Sequence, residues 1–256
     1  MTAPPPWVEQ HLAAWHAKPG LAGYYRQEIF ARLVAALGPG PTLELGSGPG
    51  LFAAYHPNMV TCDIVATGSV QVCADAHALP FAPASFGNVA GIDVLHHLAR
   101  PGVALAAIAQ VLKPGGRLVL VEPWAGPFGW LIYRFLHHED CRRVADPWRA
   151  AMPPDKPPLE GNAMIPKMLL AERVAELAEF APGLLVRRIE HFGWLSYLST
   201  GGFQRWGAPA AAIRALVAAE RRLPVALKAW LSLRALFVVE KCTAESDQWS
   251  RARPRG

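Results

Sequence analysis

Leu43-Glu44-Leu45-Gly46-Ser47-Gly48-Pro49-Gly50 is the stretch whose reading decides the fold. Thr42 to Leu45 read as the end of a buried strand, and Gly46, Gly48 and Gly50 then force a tight turn. A Cβ at those places obstructs both the turn's dihedrals and the close approach of a ligand. A dinucleotide site asks for G-x-G-x-x-G; counting from Gly46, the sixth place is Leu51, so the pattern fails by one residue. Glu44 stands two residues before the first glycine. A pyrophosphate prefers backbone N–H groups without a fixed carboxylate beside them. Glu44 suits a ligand carrying an ammonium or sulfonium charge.

Working outward, Val60 to Asp63 reads as a short strand ending in an acid 19 residues beyond Glu44. An acid so placed accepts from both hydroxyls of a ribose. Cys73-Ala74-Asp75-Ala76-His77 then puts a third acid on a loop, where it meets an adenine amino group. The three acids describe a pocket for an adenosine without phosphate. With Phe86, Val94-Leu95-His96-His97-Leu98 and Val111-Leu112-Lys113-Pro114-Gly115-Gly116-Arg117 in the expected order, the chain resembles the class I S-adenosylmethionine-dependent methyltransferases. More narrowly, it is similar to the methyltransferase type 11 group that includes the ubiquinone/menaquinone-biosynthesis C-methyltransferases. The resemblance covers about residues 40–123 well and the rest loosely.

It implies a Rossmann-like α/β fold, a seven-stranded sheet in the order 3-2-1-4-5-7-6 with the last strand antiparallel and helical insertions after strands 5 and 6. It implies S-adenosyl-L-methionine as cofactor, held by Glu44, Gly46, Ser47, Gly48, Gly50, Asp63, Ile64, Ala74, Asp75, Ala76, Asp93, Val94 and His97. An N-terminal helix packs over the cofactor in similar enzymes. Tyr25 would then cover the methionine end and Arg26 would pair its carboxylate. One departure stands out: the family has Phe-Asp where this chain has Phe86-Gly87, which puts the local strand packing in question.

The composition agrees with one large domain. Hydrophobic residues make up 52% and charged residues 18% of 256, enough for a generous core, and no apolar run is long enough to span a bilayer. The N-terminus lacks the basic and apolar regions of a signal peptide, so a cytoplasmic protein is expected. Cys62, Cys73, Cys141 and Cys242 form no C-x-x-C pair and have no His partner at metal spacing; buried free thiols are expected. The net charge of +5 sits partly in a tail ending Arg251, Arg253 and Arg255.

The domain is expected to span 1–242, with a flexible tail at 243–256. Residues 1–40 hold N-terminal helices, Trp7 to Ala17 and Leu21 to Leu37. Residues 41–123 alternate apolar strands and helices, which argues for a parallel sheet with its ligand crevice at the strands' carboxyl ends. Residues 124–165 are rich in Pro, Trp and His and too long for an ordinary connection; they read as a lid. Residues 166–242 return to the core pattern, with a helix from Pro166 to Phe180 and a strand from Leu184 to Tyr197 interrupted at Gly193. A second insertion at 200–232 precedes the last strand, Ala235 to Lys241.

Methyl transfer from a sulfonium mainly needs two reactants positioned and water excluded. A base is needed only for a weakly nucleophilic acceptor. His97, His137 and His138 are the candidates. His137-His138-Glu139-Asp140 also resembles a metal-binding cluster, but the sequence offers no matching ligands, so no metal is expected. His191 and Tyr197 share one face if the strand is unbroken.

Five tryptophans in or near the insertions (Trp124, Trp130, Trp148, Trp206, Trp230) are expected to roof the cleft, so the acceptor expected is a small apolar molecule. The stretch Pro224 to Leu236 is compatible with weak peripheral membrane contact. No nucleic acid is expected: Asp93-Val94-Leu95-His96 lacks an Asn/Asp-Pro-Pro-aromatic motif, and no basic stripe is interleaved with aromatics. A macromolecular acceptor, a polyamine synthase and a non-catalytic partner protein are the other readings. The oligomeric state is open between monomer and homodimer.

Overall fold

The computed structural model describes residues 5–243; from residue 244 onward the expected tail, with Trp249, lies outside the described residues. The strands are β1 (Thr42–Leu45), β2 (Met59–Asp63), β3 (Val72–Cys73), β4 (Phe86–Ile92), β5 (Leu112–Pro123), β6 (Leu184–Phe192) and β7 (Arg234–Lys241). They form one sheet in the order β3-β2-β1-β4-β5-β7-β6. β1 to β5 pair in parallel, and β7 runs antiparallel between β5 and β6. The strand order reverses between β1 and β4, which opens a crevice at their carboxyl ends.

The central strands are apolar on both faces, as strands covered on both sides must be. Alternation sorts their side chains. Leu118, Leu120, Phe237 and Val239 join the core on one face with Leu43 and Leu45. Val119, Val121, Leu236 and Val238 join a second core on the other, with Leu21, Ile29, Phe30 and Leu33. The first core is covered by α5 (Pro101–Val111) and α8 (Leu177–Phe180).

The second is covered by α2 (Pro19–Tyr24), a π-helical turn (Tyr25–Phe30) and α3 (Ala31–Ala36). These three make one continuous helical run, preceded by α1 (Pro6–Ala17). The remaining helices are α4 (Leu51–Tyr55), α6 (Pro127–Phe135), α7 (Ile165–Lys167), α9 (Leu195–Ser199), α10 (Ala210–Arg221) and α11 (Val225–Leu231). No helix among the described residues is long and apolar enough to cross a membrane.

Three sequence expectations change. The helix expected over Pro166 to Phe180 is broken: a π-helical turn at Met168–Glu172 and a 3-10 turn at Val174–Glu176 separate α7 from α8. Arg173 leaves the helical region at φ −115°, and its guanidinium bonds the Ala145 carbonyl and Glu176 instead. The strand expected from Leu184 to Tyr197 ends at Phe192. Gly193 turns the chain at φ +70°, packed so close to the Tyr24 hydroxyl that a Cβ would not fit. Tyr197 therefore lies on α9 and shares no strand face with His191. Among the cysteines all four thiols are free, but Cys73 is exposed.

Gly87, the departure from the family pattern, also has a local cause. A Cβ there would collide with the Pro39 carbonyl, and the Gly87 and Asn88 amides both bond the Pro41 carbonyl at 2.9 and 3.1 Å. Asn88 finishes the junction by bonding Gly38 through both its amide groups, at 2.7 and 2.9 Å. The loop before β1 thus packs directly on β4 without an acid.

Candidate active site

A cavity of about 350 Å3 opens where β1, β2 and β4 end. Its floor is the Gly46–Gly48 turn. Gly46 and Gly48 take φ of +65° and +49°, and a Cβ on Gly46 would strike Val94. The turn satisfies its own donors: Ser47 N–H bonds the Cys62 carbonyl at 3.2 Å, Gly48 N–H bonds Asp63 Oδ2 at 2.9 Å, and Gly50 N–H bonds the Ser47 carbonyl at 2.8 Å. Gly50, expected at the ligand, does not line the cavity. It caps α4 at φ +74°, and a Cβ would sit 2.6 Å from that of Ser69.

Glu44 reaches the cavity from β1. It is buried, and its Oε2 has no hydrogen-bond partner among the described residues. Burial, then the charge of Asp63, raises its pKa to about 8. Asp63 closes β2 with Oδ1 accepting the Val65 N–H at 2.8 Å and Oδ2 accepting that of Gly48. Each oxygen keeps a second lone pair for a hydroxyl donor. Ile64, Ala74, Asp75 and Ala76 continue the wall, and Ile64 is exposed at the rim. Asp93 also lines the cavity, at φ +56°, but its carboxylate already pairs with Arg234 Nη1 at 2.6 Å. Arg234 belongs to the stretch Pro224 to Leu236 expected as a docking helix, but α11 ends at Leu231 and Arg234 is 2% exposed at the start of β7.

Tyr25 lines the cavity, at the start of the π-helical turn; Arg26 does not. Successive helical residues face about 100° apart, so Arg26 points outward, exposed and 5.2 Å over the Trp15 ring. The roof comes instead from Trp7 and His11 on α1, Phe203, and the strip Pro154, Lys156, Pro158 and Leu159. His11 stacks on Phe203 with ring centres 4.0 Å apart, and burial lowers its pKa. The i,i+4 spacing of Trp7 and His11 was the available signal for a second functional face on α1. None of the five tryptophans expected over the cleft lines it. Trp148 is fully buried against Phe180, Trp124 bonds the Ala229 carbonyl at 2.8 Å, and Trp130, Trp206 and Trp230 are exposed.

Of the candidate histidines, only His97 lines the cavity. Its Nδ1 donates to the Glu160 carbonyl at 3.1 Å. Burial, then the charge of His96, lowers its pKa to about 4. His137 and His138 lie outside the cavity, 3.7 and 3.8 Å from the Glu139 carboxylate. That carboxylate is also 3.3 Å from His96 Nε2 and 3.7 Å from His97 Nε2. The fold therefore gives Glu139 neighbouring ligand atoms that no sequence spacing announced. His96 is 2% exposed and its Nδ1 lies 2.6 Å from Glu122 Oε2. Burial opposes its charge, but Glu122 and then Glu139 outweigh that and lift its pKa to about 10.

Residues 43–120 match the family model described as "Methyltransferase domain". That stretch of the chain resembles a methyltransferase domain. A stretch of 49 residues is 51% identical to the O-methyltransferase cnsE of Penicillium expansum, covering 19% of this chain and 18% of that protein. A stretch of 68 residues is 41% identical to the demethylmenaquinone methyltransferase of Renibacterium salmoninarum, covering 25% and 29%. The chain thus matches less than a third of the length of these curated relatives. The structure resembles that of a SAM-dependent methyltransferase, possible histamine N-methyltransferase, from Thermotoga maritima, with a TM-score of 0.52 at 12% identity over 93% of this chain and 99% of that one. The sheet order and the antiparallel β7 make the fold that of the class I methyltransferases. The matched stretch supplies the cavity floor, from Glu44 to Ala99; the roof comes from outside it.

Proposed function

We propose that this protein transfers a methyl group from S-adenosyl-L-methionine to a small apolar acceptor. One observation carries the reading: a buried carboxylate oxygen of Glu44, without a partner among the described residues, faces the same cavity as Asp63 and Ile64. An unsatisfied buried acceptor is costly, and a ligand ammonium would satisfy it. Asp63 would hold the ribose hydroxyls, Ile64 the adenine face, and Asp75 and Ala76 its edge. The turn from Gly46 to Gly48 lets the ligand approach while offering it no phosphate cradle. When bound, the cofactor supplies an electrophilic methyl on a sulfonium. The chain's own work is then to orient the acceptor, exclude water and, for a hydroxyl acceptor, take its proton. His11 fits the last task, because burial keeps its imidazole neutral and Phe203 fixes its plane. The apolar groups of Trp7, Tyr25, Phe203 and Leu159 in the roof support an apolar acceptor.

A second observation supports peripheral contact with an anionic membrane surface. α6 and α11 pack side by side, and Leu131, Phe135, Leu136, Val225 and Trp230 on and beside them are exposed. Isothermal titration should show saturable S-adenosyl-L-methionine binding that Asp63→Ala weakens. Labelled-methyl transfer should favour apolar over polar acceptors. No binding by the unaltered protein would overturn the reading.

A further inference from the structure

We propose that His96, His97 and Glu139 form a zinc site at the edge of the cavity. The two histidines sit on the 3-10 turn Leu95–His97 that follows β4, and Glu139 lies beyond the end of α6. One ligand atom from each of the three lies within 4.8 Å of the others. His96 Nε2 is 3.3 Å from Glu139 Oε2 and His97 Nε2 is 3.7 Å from Glu139 Oε1. Tetrahedral zinc with bonds of about 2.0–2.1 Å places its ligand atoms about 3.3 Å apart, so small side-chain adjustments complete the site.

The surroundings orient both rings. Histidine ligands of metals characteristically donate their other ring N–H to a carboxylate or a backbone carbonyl, which fixes the tautomer and aims the free lone pair. Here His96 Nδ1 faces the fully buried Glu122 carboxylate at 2.6 Å and His97 Nδ1 faces the Glu160 carbonyl at 3.1 Å. Glu122 is itself fixed, accepting the Val94 and Leu95 N–H groups at 2.8 and 2.7 Å. Gly161 closes the back of the pair: a Cβ there would lie 2.7 Å from His96 Cδ2 and 2.9 Å from His97 Nδ1. Both Nε2 atoms thus face the same carboxylate. His137 Nδ1 and His138 Nε2 lie 3.7 and 3.8 Å from that carboxylate. Two imidazoles and one carboxylate with an open fourth position suit zinc. The bound ion would tie the segment after α6 to the cavity wall.

Without metal, the same groups make a clamp in which a protonated His96 bridges Glu122 and Glu139. Metal uptake separates the two. Tag-free full-length protein, stripped with a chelator and dialysed, is titrated with Zn2+ against a chromophoric chelator, and Co2+ is added to a second sample. The expected result is one equivalent bound and, with Co2+, the intense visible bands of a four-coordinate site. Glu139→Gln and His97→Asn should each weaken Zn2+ binding by about 100-fold or more, and Glu122→Gln by about 10–100-fold, the range for an outer partner. Circular dichroism checks that each variant is folded. No stoichiometric uptake by the unaltered protein overturns the proposal. So does uptake unchanged in folded Glu139→Gln and His97→Asn, which would mark binding by other surface histidines. Neither readout depends on methyl transfer.

Discussion

Glu44 brings into the cavity a carboxylate whose Oε2 no hydrogen bond from the described residues reaches, and burial followed by the charge of Asp63 lifts its pKa from 4.5 to about 8. Between those values the unfolded chain ionises the group while the folded chain holds its proton. The folded state therefore binds more protons, and this contribution to stability falls as pH rises from about 4.5 to about 8, then stays constant. Glu44→Gln removes it. The gain in melting temperature of the variant over the unaltered protein should grow across that window, as thermal melts at several pH values will show; a difference that does not change with pH would contradict the assignment. Affinity for S-adenosyl-L-methionine should rise with pH over the same range, by up to about tenfold per unit, and titration calorimetry measures it. The glycines give a second contrast. Gly46→Ala combines a left-handed backbone, costing about 1–3 kcal/mol, with a clash against Val94. Gly48→Ala has the same backbone cost but meets only the Trp7 ring, 3.6 Å away. Chemical denaturation should find Gly46→Ala the less stable; the reverse order would mean that the turn is built otherwise.

At the scale of elements, residues 124–165 divide into two parts that composition did not separate. Trp148, Ala151 and Met152 belong to the main core, and the Ala151 amide bonds the Ala99 carbonyl at 2.9 Å. Only the strip around Pro154 to Leu159 faces the cavity. Hydrogen exchange should slow on ligand binding in residues 155–160 and stay unchanged in 148–152; slowing across both would restore a lid that moves as one piece. Trp148→Ala should cost about 3–5 kcal/mol in denaturant unfolding, the usual range for a buried Trp. The parallel strands were legible because β1, β4 and the stretch 118–121 of β5 are short apolar runs with glycine punctuation. The cofactor acids were legible because strand ends fix where Glu44 and Asp63 must sit. The roof was not: aromatic composition marks Trp124 and Trp148 as large and apolar but cannot say that they face the sheet. The grouping of His96 and His97 with Glu139 was hidden for the same reason, since the contact joins elements 42 residues apart along the chain.

On the scale of the whole molecule, the exposed apolar face of α6 and α11 gives a test of surface docking. Flotation with liposomes containing anionic lipid should recover more protein than flotation with neutral liposomes. Phe135→Ser together with Trp230→Ser should abolish the difference without lowering thermal stability, because both side chains are more than half exposed. Equal recovery with both lipids, or none, would assign this face elsewhere. The second core has a separate consequence, for synthesis. Leu21, Ile29 and Phe30 pack with Phe192, Ile213, Leu236 and Val238, and Lys18 Nζ bonds the Gly202 carbonyl at 2.6 Å. The helices that carry Tyr25 and position Trp7 and His11 thus rest on a strand that leaves the ribosome more than 200 residues later. A nascent chain paused before Arg234 has the cavity floor complete but only part of the seat for its roof, on Val119, Val121, Phe192 and Ile213. Full competence to bind therefore arrives late, when Leu236 and Val238 complete that seat.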